Sequence, residues 1–79
     1  MKLPRNLSGA DLTNTLCKHW GYDKVRQSGS HIILVTQIPS HQRIAIPNHK
    51  TLRIGTLHTI LRSVSNHKKI NRQDILDDL

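Results

Sequence analysis

Among the six histidines of this 79-residue chain, His31 has the setting best suited to chemistry. Gly29 and Ser30 precede it, and the strongly β-prone run Ile32-Ile33-Leu34-Val35-Thr36 follows. An imidazole with an unperturbed pKa of about 6.5 can both take and give a proton near neutral pH. The small residues before His31 let another backbone approach, and the strand after it offers a rigid mount. The plain alternative is an imidazole hydrogen-bonded at a strand end. Groups suited to phosphate lie along the same chain: Lys24, Arg26 and Ser30 around the first turn, Arg43 further on, and His49, Lys50 and Arg53 in a later loop. Any one of these cations is more often a solvated surface charge. Together with His31 they pair a proton-transfer group with donors suited to a phosphate.

Other chemistries find less support. The histidines and the lone cysteine lack the paired spacing typical of zinc sites. Cys17 falls on the apolar stripe of a helix, where packing is the better reading than nucleophilic attack. No glycine-rich phosphate loop of the Walker type occurs, and the acidic residues gather mainly near the C-terminus. Neither a small-molecule cofactor nor a membrane is expected. Twelve Lys and Arg stand against five Asp and Glu, for a formal charge of +7 and a pI near 10.4. Such an excess favours a polyanionic partner. One Trp, one Tyr and no Phe leave no aromatic platform for stacking bases. A single cysteine cannot close an internal disulfide, and no opening apolar run resembles a signal peptide, so a cytoplasmic protein is expected.

The elements that must position these residues fit one small domain over 1–79. Ser8 and Asp11 have the spacing of a capping box, with Leu7 and Leu12 as a hydrophobic staple. Leu12, Leu16, Cys17 and Trp20 form one apolar stripe, so a first helix is predicted from about Gly9 to Trp20, ended by Gly21. Tyr22 to Gln27 and Ile32 to Thr36 read as a hairpin turning at Ser28-Gly29. The second of these strands is apolar on both faces, so one side packs on helices and the other is left for a partner or as an exposed patch. Arg43 to Ile46 is a third strand, stopped by Pro47. Leu57, Ile60, Leu61 and Val64 predict a second helix from about Thr56 to Asn66, followed by a basic connector at Lys68 and Lys69. Gly55 and Thr56 at its start offer backbone N–H groups to a phosphate, although ordinary capping is the preferred reading. A short last helix is capped by Asn71, with Ile75, Leu76 and Leu79 on one side. The result is an α+β fold in the order α-β-β-β-α, a three-stranded antiparallel sheet with helices on one face.

Three segments in this order resemble the HicA family of toxins: Arg26-Gln27-Ser28-Gly29-Ser30-His31, Ile46-Pro47-Asn48-His49, and Gly55-Thr56-Leu57 followed by Ile60-Leu61. The opening Leu3-Pro4-Arg5-Asn6-Leu7-Ser8-Gly9 is similar to the start of one branch of that family. The resemblance spans most of the chain and departs from many members in a shorter stretch between His49 and Gly55. It implies a fold like a minimal double-stranded-RNA-binding domain. It further implies a toxin that cleaves messenger RNA without a metal, restrained by a HicB-type antitoxin, with the histidine after Gly-Ser, here His31, as the catalytic group. A non-catalytic module reading A-form RNA through phosphates and 2′-hydroxyls is the alternative.

Overall fold

The computed structural model describes residues 3–79. Its elements are α1 (Gly9–His19), β1 (Asp23–Ser28), β2 (His31–Thr36), β3 (Gln42–Pro47), α2 (Ile54–Lys68) and α3 (Arg72–Leu76). The strands form an antiparallel meander in the order β1-β2-β3, so β2 is central. The expected α+β order and three-stranded sheet are therefore observed.

Local signals explain most boundaries. The Ser8 hydroxyl accepts from the Asp11 N–H at 3.0 Å, satisfying one orphan donor of the first turn of α1. Leu7 and Leu12 both enter the core, as a hydrophobic staple requires. Trp20 caps the helix, and Gly21 takes the left-handed conformation with φ 73°. The hairpin turns one residue later than expected, at Gly29-Ser30, with Gly29 at φ 59°, where a side chain would be strained. His31 is thereby the first residue of β2, paired with Ser28 on one side and Pro47 on the other.

Strand β3 continues through Pro47, which pairs with His31, and α2 extends past its expected bounds at both ends. Helix α2 starts at Ile54 and runs to Lys68, because neither end coincides with its apolar stripe: Arg53 is an N-cap without a side-chain bond, and non-glycine Lys69 closes the helix at φ 57°. Lys68 is also no free connector. Its ammonium donates to Thr36 Oγ1 at 2.8 Å and to the Ile38 carbonyl, and lies 4.8 Å from the Tyr22 ring centroid. At the C-terminus, Asn71 and Asp74 complete a reciprocal capping box and Ile75 is buried. Leu79, expected on the same apolar side, lies beyond α3 and is exposed.

The core lies between the inner sheet face and the helices. Ile32, Leu34 and Ile46 from the sheet meet Leu12 and Leu16 of α1, Leu57, Ile60, Leu61 and Val64 of α2, and Ile75 of α3. Tyr22 is buried beside them, with its hydroxyl donating to Gln42 Oε1 at 2.5 Å. Gln42 Nε2 in turn reaches the Ser63 carbonyl, tying β3 to α2.

The start of α1 is pressed against the end of β3. A Cβ on Gly9 would come within 1.9 Å of the Pro47 carbonyl oxygen, which is backbone and cannot swing aside. Helix propensity favours Ala over Gly by about 1 kcal/mol in a helix interior, but overpacking a rigid contact costs about 1–3 kcal/mol. Gly9→Ala is therefore expected to lower the urea midpoint at unchanged m-value; an equal or raised midpoint would show that this junction yields easily.

Candidate functional site

Alternation along β2 divides its side chains between two worlds. Ile32, Leu34 and Thr36 face the helices and are 3%, 0% and 1% exposed, which puts His31, Ile33 and Val35 on the other face. His31 is exposed. Ile33 is buried but lies outside the helix-packed cluster, flanked in register by Arg26 and Ala45. The outer face is thus less of an open apolar patch than expected.

A bulge in β1 decides which cations share that face. Lys24 pairs with Leu34, whereas Arg26 pairs with Ile33, and the register shifts between them. The extra residue, Val25, is exposed, and the two cations flanking it fall on opposite faces although they are two residues apart. Arg26 therefore stands on the His31 face and Lys24 on the helix side. Arg43 pairs with Val35, which also places it on the His31 face.

His31 lines a shallow groove of about 620 Å³ between the outer end of the sheet and the start of α2. Ala45 and Pro47 form its sheet wall, and Arg53, Gly55, Thr56, Thr59 and Ile60 form the opposite one. The chain leading into α2 is fixed by two backbone bonds, Gly9 N to the His49 carbonyl at 3.0 Å and Leu52 N to the Leu7 carbonyl at 2.8 Å, and by burial of Leu52. The Asn48 N–H donates to the Ser30 carbonyl at 2.6 Å, extending the β2–β3 ladder to the residue before His31. These bonds hold Arg53 and the first turn of α2 opposite the imidazole.

Of the candidates named from sequence, the groove unites His31 and Arg53. Arg26 and Arg43 share the outer face without lining the groove. Ser30 lies in the hairpin turn, and His49 and Lys50 are exposed in the loop outside the groove. Thr59 was missed, because its role in the wall depends on how α2 passes the edge of β3. Its hydroxyl donates to the Gly55 carbonyl at 3.0 Å. Capping does not occupy Gly55 and Thr56 as expected, since the helix starts before them and its N-cap has no side-chain bond.

Burial acts on three groups elsewhere. It pushes the Cys17 thiol up, with Asp23 adding to the rise, and Cys17 packs half-buried against the core. It also pushes the Tyr22 hydroxyl up to about 12 and the Lys68 ammonium down. Among the described residues, no three His, Cys, Asp or Glu side chains converge to hold a metal ion, and no helix is long and apolar enough to cross a membrane.

Fold and groove define a small basic α+β domain with an exposed histidine in a groove that the first turn of a helix also lines. A family model, the HicA toxin of bacterial toxin–antitoxin systems, matches residues 9–71. The chain belongs to this toxin family. No curated protein and no solved structure matches it significantly.

Gly55 has open space where a Cβ would stand and no positive φ, so the fold itself does not require glycine there. Gly55→Ala is expected to leave thermal stability unchanged or raise it by up to about 1 kcal/mol. A clear loss of stability in a thermal melt would mean that the first turn of α2 is packed more closely than this geometry allows.

Proposed function

We propose that this toxin is a metal-independent endoribonuclease that cleaves messenger RNA, with His31 as its proton-transfer group. The observation that carries the reading is the placement of an exposed imidazole, fixed at the start of the central strand, across a groove from Arg53 and the uncapped first turn of α2. In the proposed reaction the neutral His31 imidazole takes the proton of the 2′-hydroxyl. The 2′-oxygen then forms a bond to phosphorus and the bond to the 5′-oxygen breaks, leaving a 2′,3′-cyclic phosphate and a 5′-hydroxyl. The protonated imidazole, or water, returns a proton to the leaving oxygen.

Negative charge gathers on the phosphate oxygens during this step. Arg53 supplies a forked guanidinium for them, and the N–H groups at the start of α2 carry the partial positive charge of the helix terminus. Arg26 and Arg43, on the same sheet face, suit the flanking phosphates, which fix register without reading sequence. Ser30, His49 and Lys50 border this region along the chain and Lys24 lies across the sheet, so their share in RNA binding is expected to be smaller. With few aromatic side chains, recognition rests on charge, shape and hydrogen bonds.

A toxin of this kind needs a restraint, and we propose a HicB-type antitoxin that covers the outer sheet face and the groove mouth. The half-buried Val35 and exposed Ala45 beside Arg26 and Arg43 give that face an apolar strip between cations, suited to a partner with acidic and apolar groups.

His31→Ala is expected to abolish growth arrest at equal expression while leaving antitoxin affinity within a few-fold, since one exposed imidazole contributes little to a large interface. Persistent arrest by that variant would remove His31 from the chemistry. Arg53→Gln should lower the cleavage rate about 10²-fold, measured on purified protein, with little change in melting temperature. An unchanged rate would leave the arginine as a bystander. Amide exchange in the antitoxin complex should slow in β2, β3 and the first turn of α2; protection confined to α1 would contradict the proposed interface.

A further inference from the structure

Three basic side chains converge on the flank of α2 away from the core. Arg72, at the start of α3, places Nη1 2.8 Å from Nδ1 and 3.1 Å from Nε2 of His58. Arg62, one turn along α2, places Nη2 3.4 Å from the same Nε2. A guanidinium only donates, and a neutral imidazole has one accepting nitrogen, so the ring can serve one of the two arginines and not both. No carboxylate among the described residues relieves the excess. The two nearest along the chain are engaged elsewhere: Asp74 accepts from the Asn71 N–H, and Asp77 accepts from Gln73 Nε2. Two guanidiniums gathered around one imidazole form an arrangement that an anion completes, through charge-assisted and forked hydrogen bonds.

The cluster also adjoins the groove. Gly55 and Thr59 line that groove, His58 follows Gly55 by three residues, and Arg62 follows Thr59 by three. Residues at this spacing are neighbours on a helix surface. An extended polyanion leaving the groove across the exposed side of α2 would meet Arg62 next. A strand of RNA meets that requirement because its charges repeat along a flexible backbone.

We propose that Arg62, Arg72 and His58 form a second phosphate-binding station, which holds a backbone phosphate of the RNA strand whose scissile bond lies at His31. This rests on the ribonuclease reading given above and adds to it the path of the strand. Arg62 is exposed and free to turn toward the phosphate, while Arg72 is held nearer the protein and also links α3 to α2 through His58.

The test measures binding of a short fluorescent single-stranded RNA to the His31→Ala protein across a range of salt. Adding Arg62→Gln and Arg72→Gln is expected to weaken binding about tenfold and to flatten the log K against log salt slope by about 0.7, the value for one phosphate contact on a single strand. Removing two charges elsewhere, with Lys18→Gln and Lys69→Gln, should leave that slope unchanged. Because Arg72 also holds α3, Arg62→Gln alone is measured as well; it should weaken binding about threefold at an unchanged melting temperature. Equal effects of both charge-removing pairs would overturn the proposal, as would unchanged RNA affinity in a folded Arg62→Gln protein. Unchanged RNA affinity with weakened antitoxin binding would overturn it in favour of a protein partner. If the His31→Ala parent itself binds no RNA, the ribonuclease reading fails first, a result distinct from failure of the station alone.

Discussion

The register of β2 governs the rest of this small fold. Side chains on a strand alternate between faces, so burying Ile32 and Leu34 against the helices obliges His31 and Ile33 to face the other way. A slip of one residue would carry His31 into the core and Ile32 out of it. Register is therefore fixed by fully buried apolar contacts, and the face on which His31 stands follows from them. Bonding continues past the strand end, where the Asn48 N–H reaches the Ser30 carbonyl. The residue offered for chemistry is thus mounted on the most constrained element available.

A second constraint is electrostatic. A chain of charge +7 with 79 residues must fold against its own repulsion. It does so with few compensating pairs: Lys68 is held by a hydroxyl, a carbonyl and an aromatic ring, and Arg72 by an imidazole. The acidic side chains Asp74 and Asp77 serve hydrogen bonds within the C-terminal segment. Positive charge left unmatched on the outer sheet face, at the groove and along α2 gives a polyanion several points of attachment. The same features that strain the free protein would favour the proposed complex with RNA, in which each phosphate bound would release counterions.

Much of this was legible in the sequence. The stripe of Leu12, Leu16 and Cys17, the β-branched run after His31 and the Asn71 cap are local signals, and each produced the expected element. The toxin family was legible too, from ordered short segments that a family model over 9–71 supports. What escaped depends on contacts distant in sequence. The bulge at Val25 has no compositional mark, yet it separates Lys24 from Arg26. The early start of α2 brings Arg53 into the groove that His31 lines, because Leu52 is anchored to Leu7 some forty-five residues earlier in the chain. The convergence of Arg62 and Arg72 on His58 depends on how α3 folds back, which no periodicity in so short a helix can state.

The central claim is that His31 activates a 2′-hydroxyl in the groove, and the most direct measurement reads the ends of the RNA that the purified toxin cuts. Products carrying 2′,3′-cyclic phosphate and 5′-hydroxyl ends, formed in the presence of a chelator and abolished by a 2′-deoxy substitution at the cut site, are the predicted result. Cleavage of the 2′-deoxy substrate, or products bearing 5′-phosphate ends, would contradict the account.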